Sequence, residues 1–225
     1  MNRVFCVVLF DVVKSTAAED REELVHRIQS AVASCNQRYG DSLFAPLEIT
    51  RGDEVAGVVS ALSPLYRIVR DFVLSLQPYT ARVAVAFGEV VAGLKTRKSS
   101  VMDGPAFYKA DALMTSIKGT QRLVALSLGD DLFDLSLEAL MNAALWRWLE
   151  LTPLQRRMLQ LYLDGKTQTE IAATLGRRQQ QVSRALRAAR WEVVQLCERA
   201  VEKILTRLDQ GVLENVGTRK DDLPV

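Results

Sequence analysis

The sequence has few of the residues that metal centres, catalytic triads and disulfide frameworks require. It contains one histidine, His26, and three cysteines in 225 residues. A zinc site needs several His or Cys ligands, and a Ser-His-Asp triad needs a histidine as its base. Cys6, Cys35 and Cys197 form no CxxC pair, and an odd number cannot be fully paired within one chain. We therefore predict neither zinc chemistry nor a disulfide framework, and we expect a reducing, cytoplasmic environment.

Long hydrophobic runs and a strong net charge are also absent. The longest apolar segment, residues 4–10, is far shorter than the roughly 20 residues that cross a bilayer, so no membrane partner is expected. The net charge is +2, but residues 152–190 alone carry eight basic and two acidic side chains. Concentrated positive charge attracts polyanions. A nucleic-acid partner is therefore predicted for the C-terminal third.

The first 90 residues follow a βαββαβ order. Strands are predicted at residues 4–10, 47–50, 55–59 and 81–87, and helices at residues 22–39 and 64–76. Right-handed crossovers make the first two strands parallel and place the third between them, antiparallel to both. This α+β order predicts a ferredoxin-like sheet, in which the end of the first strand lies beside the hairpin of the second and third strands.

A helix (residues 105–117), a strand (122–127) and a second helix (132–149) are predicted next. We divide the chain into an α+β domain at residues 1–145, an all-α helix-turn-helix domain at residues 146–210, and a flexible tail at residues 211–225.

The all-α domain carries the most specific motif. Thr167 and Glu170 form a capping box that opens a short helix, and Gly176 supplies a turn. Ala172 permits a close helix crossing, and Val182 fills the angle between the two helices. The segment LTPLQRRMLQLYLDGKTQTEIAATLGRRQQQVSRALRAAR, residues 151–190, resembles the helix-turn-helix of sigma-factor region four and of LuxR-type regulators.

That resemblance implies that the second helix of the motif binds double-stranded DNA. Arginine pairs with guanine and glutamine with adenine in the major groove. A basic three-helix bundle that contacts a protein is the alternative. The outward-facing side chains implied by the alignment are Arg178, Gln179, Gln180, Ser183, Arg184 and Arg187.

No Pro or Gly interrupts residues 179–210, so this second helix is predicted to continue. Its apolar seam has spacings of three and four residues, which suits a partner helix. Two interpretations remain open, a homodimer and packing onto the chain's own N-terminal domain. The seam residues are Val194, Cys197, Val201, Ile204 and Leu208.

Acidic residues cluster at one edge of the predicted sheet. Asp11 follows the first strand, and Asp53 and Glu54 lie in the hairpin predicted beside it. Carboxylates this close repel one another, and a divalent cation such as Mg²⁺ or Mn²⁺ relieves the repulsion. We predict a shared metal site at this edge. An ordinary polar turn is the alternative for the hairpin residues.

Three segments, VLFDVVKST (8–16), RGDEVAGVV (51–59) and RVAVAFGEVVAG (82–93), resemble the palm domain of class III nucleotidyl cyclases and their GGDEF relatives. With MDGPAFYKADALM (102–114) included, the chain is similar to the SatD family over nearly its whole length. The cyclase resemblance implies that Asp11 and Asp53 bind the metal and that the backbone carbonyl of Val12 adds a ligand.

The same resemblance implies a nucleotide beside the metal. Cyclases have an asparagine and an arginine after a Gly-Pro step, where this chain has Tyr108 and Ala112, and losing the arginine removes a charge that stabilises the transferring phosphate. Catalysis therefore requires a basic side chain from another segment of the chain. The candidates are Lys14, Arg82 and Lys95. The nucleotide-binding candidates are Lys14, Ser15, Gly52, Tyr108 and Lys109, although Lys109 could instead be a solvated surface residue.

Three functions are compatible with these features. The preferred one is a DNA-binding transcriptional regulator, whose palm-like domain binds a divalent metal and a nucleotide and thereby shifts the arrangement of the domains. The second is a nucleotidyltransferase or cyclase-like enzyme that makes a cyclic or oligomeric nucleotide. The third is a palm retained as a scaffold.

Overall fold

The structure is a computed structural model that describes residues 3–13 and 20–217. Within these ranges it is a mixed α+β fold with one five-stranded sheet, and no helix is long and apolar enough to cross a membrane. The strands are β1 (Arg3–Val12), β2 (Leu43–Arg51), β3 (Glu54–Val59), β4 (Ala81–Val90) and β5 (Val124–Ser127). The α-helices are α1 (Arg21–Tyr39), α2 (Leu65–Ser75), α3 (Pro105–Ile117), α4 (Asp131–Glu150), α5 (Pro153–Leu163), α6 (Gln168–Leu175), α7 (Gln179–Ala188) and α8 (Trp191–Gly217).

The sheet has the strand order β2-β3-β1-β4-β5. As the sequence predicted, β3 lies between β1 and β2 and is antiparallel to both. Side chains alternate between the two faces of a strand. Val8 and Phe10 of β1 therefore join the larger core with α1, α2, α4 and α8, whereas Val7 and Leu9 face α3 on the opposite side. Asp11 continues the second series and lies on the α3 face.

Helix α4 covers the β5 edge of the sheet with three hydrogen-bonding side chains spaced four residues apart. Four helical residues rise about 6 Å and two strand residues about 6.6 Å, so the two spacings match. The match holds α4 in place along the sheet. The acceptors Asp134, Glu138 and Asn142 bind the backbone N–H groups of Leu128, Leu126 and Val124 at 2.8, 2.9 and 3.1 Å.

Helix α8 is separate from α7, which corrects the prediction of one continuous helix. Arg190, with a φ of 50°, breaks the chain between them although no Gly or Pro marks the position. Val201 and Leu205 of α8 are fully buried in the larger core. Cys197, Ile204 and Leu208 of the predicted seam pack against the same core, whereas Val194 is buried in a separate core with α5, α6 and α7. The seam therefore packs within the chain, and the homodimer stays a prediction.

A buried polar cluster, here called the Glu198 node, joins α2, α4 and α8. Glu198 Oε1 accepts hydrogen bonds from Tyr66 Oη and Trp148 Nε1, both at 2.9 Å, and from Arg70 Nη1 at 3.2 Å. Burial alone would lower the pKa of Arg70, but the carboxylates of Glu198 and Asp71 outweigh it and raise that pKa. Arg70 therefore stays charged inside the protein.

Helices α5, α6 and α7 surround a small core of their own, and we call this group the helical cluster. Ile171, Val182 and Leu186 are buried in it, and Trp148 of α4 joins them. The predicted capping box is present, with Glu170 N donating to Thr167 Oγ1 at 3.2 Å and Thr167 N donating to Glu170 Oε2 at 2.7 Å. Gly176 ends α6 in the left-handed region at φ 61°.

Candidate functional site

Four charged residues lie opposite one another across four neighbouring strands. In register, Arg51 of β2 faces Glu54 of β3, Glu54 faces Asp11 of β1, and Asp11 faces Arg82 of β4. Residues directly opposite each other in antiparallel strands project from the same face of the sheet. The four side chains therefore form a charged row on the α3 face, with two carboxylates flanked by two guanidinium groups.

Asp11 carries its own counterions. Arg82 Nη1 lies 3.5 Å from Asp11 Oδ2, and Lys118 Nζ, just after α3, lies 3.4 Å from Asp11 Oδ1. The sequence predicted that these carboxylates repel one another and that a divalent cation relieves the repulsion. At Asp11 two cations from the chain itself are present: Arg82, which the sequence had named as a candidate, and Lys118 at the end of α3. The metal site stays a prediction.

Arg51, Glu54 and Asp11 of the charged row line a cavity of about 220 Å³ between the sheet and α3. Gly104 lets α3 approach β4 closely, since a Cβ at this residue would lie 2.7 Å from the Glu89 carbonyl oxygen and its φ is 152°. Carboxylates, hydroxyls and apolar groups all face the cavity. The lining includes Asp11, Glu54 and Asp111, then Arg51, Thr50, Ser99 and Ser100, and the apolar Leu9, Val55, Met102, Phe107 and Met114.

The rim formed by residues 99–101 is fixed to the sheet. Ser99 is buried, and its Oγ donates to the Ala56 carbonyl oxygen at 2.9 Å. Glu48 Oε2 of β2 accepts from the backbone N–H of Ser100 at 3.0 Å and from its Oγ at 2.9 Å. Hydrogen bonds to the sheet therefore hold this side of the cavity in place.

The hairpin places Glu54 in the cavity lining together with Asp11, whereas Asp53 lies in the turn itself. The Asp53 carbonyl oxygen accepts from Val12 N at 3.4 Å, and the Val12 side chain is buried in the opposite core. In the described part of the chain, no three His, Cys, Asp or Glu side chains come together in a group that could hold a metal ion. Of the three carboxylates predicted to converge, Asp11 and Glu54 share the cavity.

Of the predicted nucleotide contacts that the structure describes, Gly52, Tyr108 and Lys109 do not line this cavity. Tyr108 is 60% exposed and donates to Asp103 Oδ2 at 2.8 Å, and Lys109 is also exposed. Phe107 and Asp111, on the side of α3 that faces the sheet, line the cavity instead. Gly52 is an exposed turn residue, and residues 14 and 15 (Lys14 and Ser15) lie outside the described residues.

Sequence reasoning did not find Asp111, Lys118 or the Ser99 rim. Asp111 follows Phe107 by four residues and precedes Met114 by three, so all three share one helical face. That spacing in the sequence could have indicated that Asp111 faces the cavity. The counterion Lys118 and the Glu48–Ser100 contacts depend on tertiary packing and have no local signature.

A second charged surface lies on α7. Five of the six residues predicted to bind DNA are exposed, and Ser183 is half-buried between them and the core. Gln179 Nε2 donates to Gln168 Oε1 at 2.7 Å, which ties the start of α7 to α6. No ion pair forms on the α7 arginines within the part of the chain that the structure describes. The exposed residues are Arg178, Gln179, Gln180, Arg184 and Arg187.

The fold and these two surfaces define a mixed α+β protein with a carboxylate-bearing cavity on its sheet and a basic helical cluster at its C-terminal end. The model of the SatD family matches residues 5–198, and the chain belongs to that family. No curated protein matched the chain.

Solved structures similar to this chain include three cyclase structures. Two bacterial light-regulated adenylyl cyclase structures match at 14% and 15% identity, with TM-scores of 0.44 and 0.46. Each match covers 57% of this chain and 45% of the other, so the chain spans less than half the length of these proteins. The guanylyl cyclase Cya2 matches at 15% identity and a TM-score of 0.42, over 56% of this chain and 76% of that one.

Proposed function

We propose that the cavity binds a nucleoside phosphate together with a divalent cation. The observation that carries the proposal is that Asp11 and Glu54 lie opposite each other on neighbouring strands and line the same cavity. Mg²⁺ is usually held by one or two carboxylates plus substrate phosphate oxygens. The pair of carboxylates therefore fits a cation that arrives with a phosphate ligand.

The remaining lining suits the other parts of such a ligand. Met102, Phe107 and Met114 offer polarizable and aromatic surface against which a planar base can pack. Thr50 and Ser100 add hydroxyl groups that can orient a sugar or phosphate. A bound Mg²⁺ or Mn²⁺ would neutralise phosphate charge, and Arg51 would add a positive side chain from the protein.

Thermal unfolding with each nucleoside triphosphate and each cyclic nucleotide, with and without Mg²⁺, tests this proposal. A ligand at 100 times its Kd stabilises a protein by about 2.7 kcal/mol. The Glu54→Gln variant should lose that gain, whereas Asp41→Asn, at an exposed carboxylate outside the cavity lining, should keep it. If no combination stabilises the wild type, the scaffold interpretation remains for this domain.

A cyclase-like enzyme is the alternative use of the same cavity. It is favoured by the two arginines of the charged row, Arg51 and Arg82, which flank the carboxylates although Ala112 stands where cyclases have their arginine. An enzyme would release pyrophosphate from a nucleoside triphosphate in Mg²⁺ or Mn²⁺. A ligand-binding regulator would show the stabilisation without that release.

We propose, as a second function, that α6 and α7 bind double-stranded DNA. The specific observation is that α7 buries Val182 and Leu186 and exposes arginine and glutamine on its other side. Such side chains bind base edges in the major groove and backbone phosphates. Combined with the cavity, this makes the chain a regulator in which a nucleotide shifts DNA affinity by binding one conformation more tightly.

Binding to genomic duplex fragments at several salt concentrations tests the DNA proposal. Lysine and arginine on phosphates release counterions, so affinity should fall steeply as salt rises. The Arg187→Gln variant should reduce the steepness, and Arg199→Gln, an exposed arginine on α8, should not. A flat salt dependence, or no binding to any fragment, would leave the protein-contact interpretation for the helical cluster.

A further inference from the structure

The C-terminal end of α7 is held by a side chain from outside the helical cluster. Arg147, in the last turn of α4, donates from Nε to the Ala189 carbonyl oxygen at 3.0 Å and from Nη2 to the Ala188 carbonyl oxygen. Its Nη1 pairs with Glu150 Oε2 at 2.7 Å. One guanidinium group therefore connects α4 to the last residue of α7 and to the residue that follows it.

These bonds suit the chemistry of a helix end. The last carbonyl groups of a helix lack partners within the helix and carry partial negative charge. A guanidinium satisfies two of them at once, in a fixed planar geometry that an ammonium group lacks. The contact therefore fixes the direction of the α7 end as well as its position.

The other end of this connection is also rigid. Helix α4 is hydrogen-bonded along β5 by Asp134, Glu138 and Asn142, and Trp148 anchors its last turn in the core of the helical cluster. A side chain on α4 thus has a fixed place relative to the sheet.

We propose that Arg147 is a positioning residue for DNA binding, which sets the orientation of the exposed α7 face relative to the sheet. The inference rests on the proposed DNA-binding function. Arg147 acts through the α7 backbone and does not itself contact DNA. Its loss should therefore misalign the base-reading side chains, which need a fixed geometry, while the number of exposed α7 cations available to phosphates stays the same.

The test compares two duplexes. One is selected by the wild-type protein from a random-sequence library, and the other is a scrambled duplex of the same composition. The Arg147→Gln variant should bind the selected duplex about tenfold more weakly, a loss of about 1.4 kcal/mol, and the scrambled duplex as the wild type does. Arg147→Lys keeps the charge but not the fork, so it should fall between the two. Glu150→Gln removes only the other partner of Arg147 and should bind as the wild type.

Each result is decisive. If the wild type selects no duplex, the DNA-binding function fails. If it selects one and Arg147→Gln binds it equally well, the positioning role fails while DNA binding stands. Equal weakening on both duplexes, with a salt slope reduced by about one, would make Arg147 a phosphate contact and overturn the inference. If Arg147→Gln does not fold, Arg147→Lys decides by the same comparison.

Discussion

The charged side chains of the cavity and those of α7 differ in their surroundings. At the cavity, Asp11 and Glu54 lie between Arg82 and Arg51 along the charged row, and the Asp11 side chain is only 13% exposed beside Arg82 and Lys118. On α7, the charges are of one sign and face solvent. Compensated charges at partly buried positions define the shape of a site, whereas exposed charges of one sign are available to an external polyanion. The same residue types therefore differ in charge compensation and exposure between the two regions.

The largest expected effect comes from the Glu198 node, which lies between the two regions. Glu198→Ala leaves Arg70 Nη1 and two further buried donors without their acceptor, so it should lower the free energy of unfolding by about 3–5 kcal/mol. Chemical denaturation measures this loss. Glu202→Ala, on the same helix, removes a half-exposed pair with Arg67 and should cost less than about 1 kcal/mol. Equal losses in the two variants would contradict a structural role for the node.

The next largest effect is expected on the DNA sequence preference of α7. Arg184→Ala removes an exposed side chain of α7 and should relax sequence preference at one base position, by about 1–3 kcal/mol. Arg157→Ala on α5 should instead weaken binding evenly across sequences. Competition binding with a panel of single-base variants distinguishes the two. Identical profiles for both variants would mean that α7 does not present the groove-facing surface.

A smaller effect is expected at the turn between α6 and α7. Gly176→Ala places a side chain at φ 61°, which costs about 1–2 kcal/mol, and no neighbouring atom lies close enough to add a steric contribution. Gly40→Ala is the matched control, because Gly40 has an ordinary helical φ of −52° and equal space. It should be neutral or slightly stabilising. Thermal or chemical unfolding of both variants checks the difference, and a neutral Gly176→Ala would remove the conformational argument.

The smallest effect tests whether the cavity charges are compensated. Asp11→Asn breaks two long ion pairs, so without ligand it should lower the free energy of unfolding by about 1 kcal/mol. Glu54→Gln removes a carboxylate that faces Asp11 in register and should be neutral or slightly stabilising. If Asp11→Asn were more stable than the wild type, the repulsion between carboxylates inferred from the sequence would outweigh the two ion pairs.

Features with local physical causes were predictable from the sequence. The capping box at Thr167, the left-handed turn at Gly176 and the burial of Val182 all follow from side-chain chemistry within a few residues. The position of β3 between β1 and β2 follows from alternating strands and the handedness of crossovers.

Features that depend on register or helix rotation were not predictable. Whether Asp53 or Glu54 shares the cavity with Asp11 is decided by a shift of one residue, because neighbouring residues of a strand face opposite sides. The rotation of α3 directs Phe107 and Asp111 to the cavity and Tyr108 away from it. The break at Arg190 has no Gly or Pro signal, and it accompanies the contact of the Trp191 ring with the Tyr162 ring at 4.7 Å.

Side-chain hydrogen bonds occupy backbone groups along the two outer strands of the sheet. Unpaired backbone groups at a sheet edge invite a strand from another molecule. At β5 those groups are occupied by α4, and at β2 Asn36 binds both the N–H and the carbonyl of Leu47 while Arg97 binds the Phe44 carbonyl. Pro46 of β2 also has no N–H to donate. With both edges protected in this way, copies of this protein should not join through their sheets, and a high concentration should not by itself lead to amyloid-like growth.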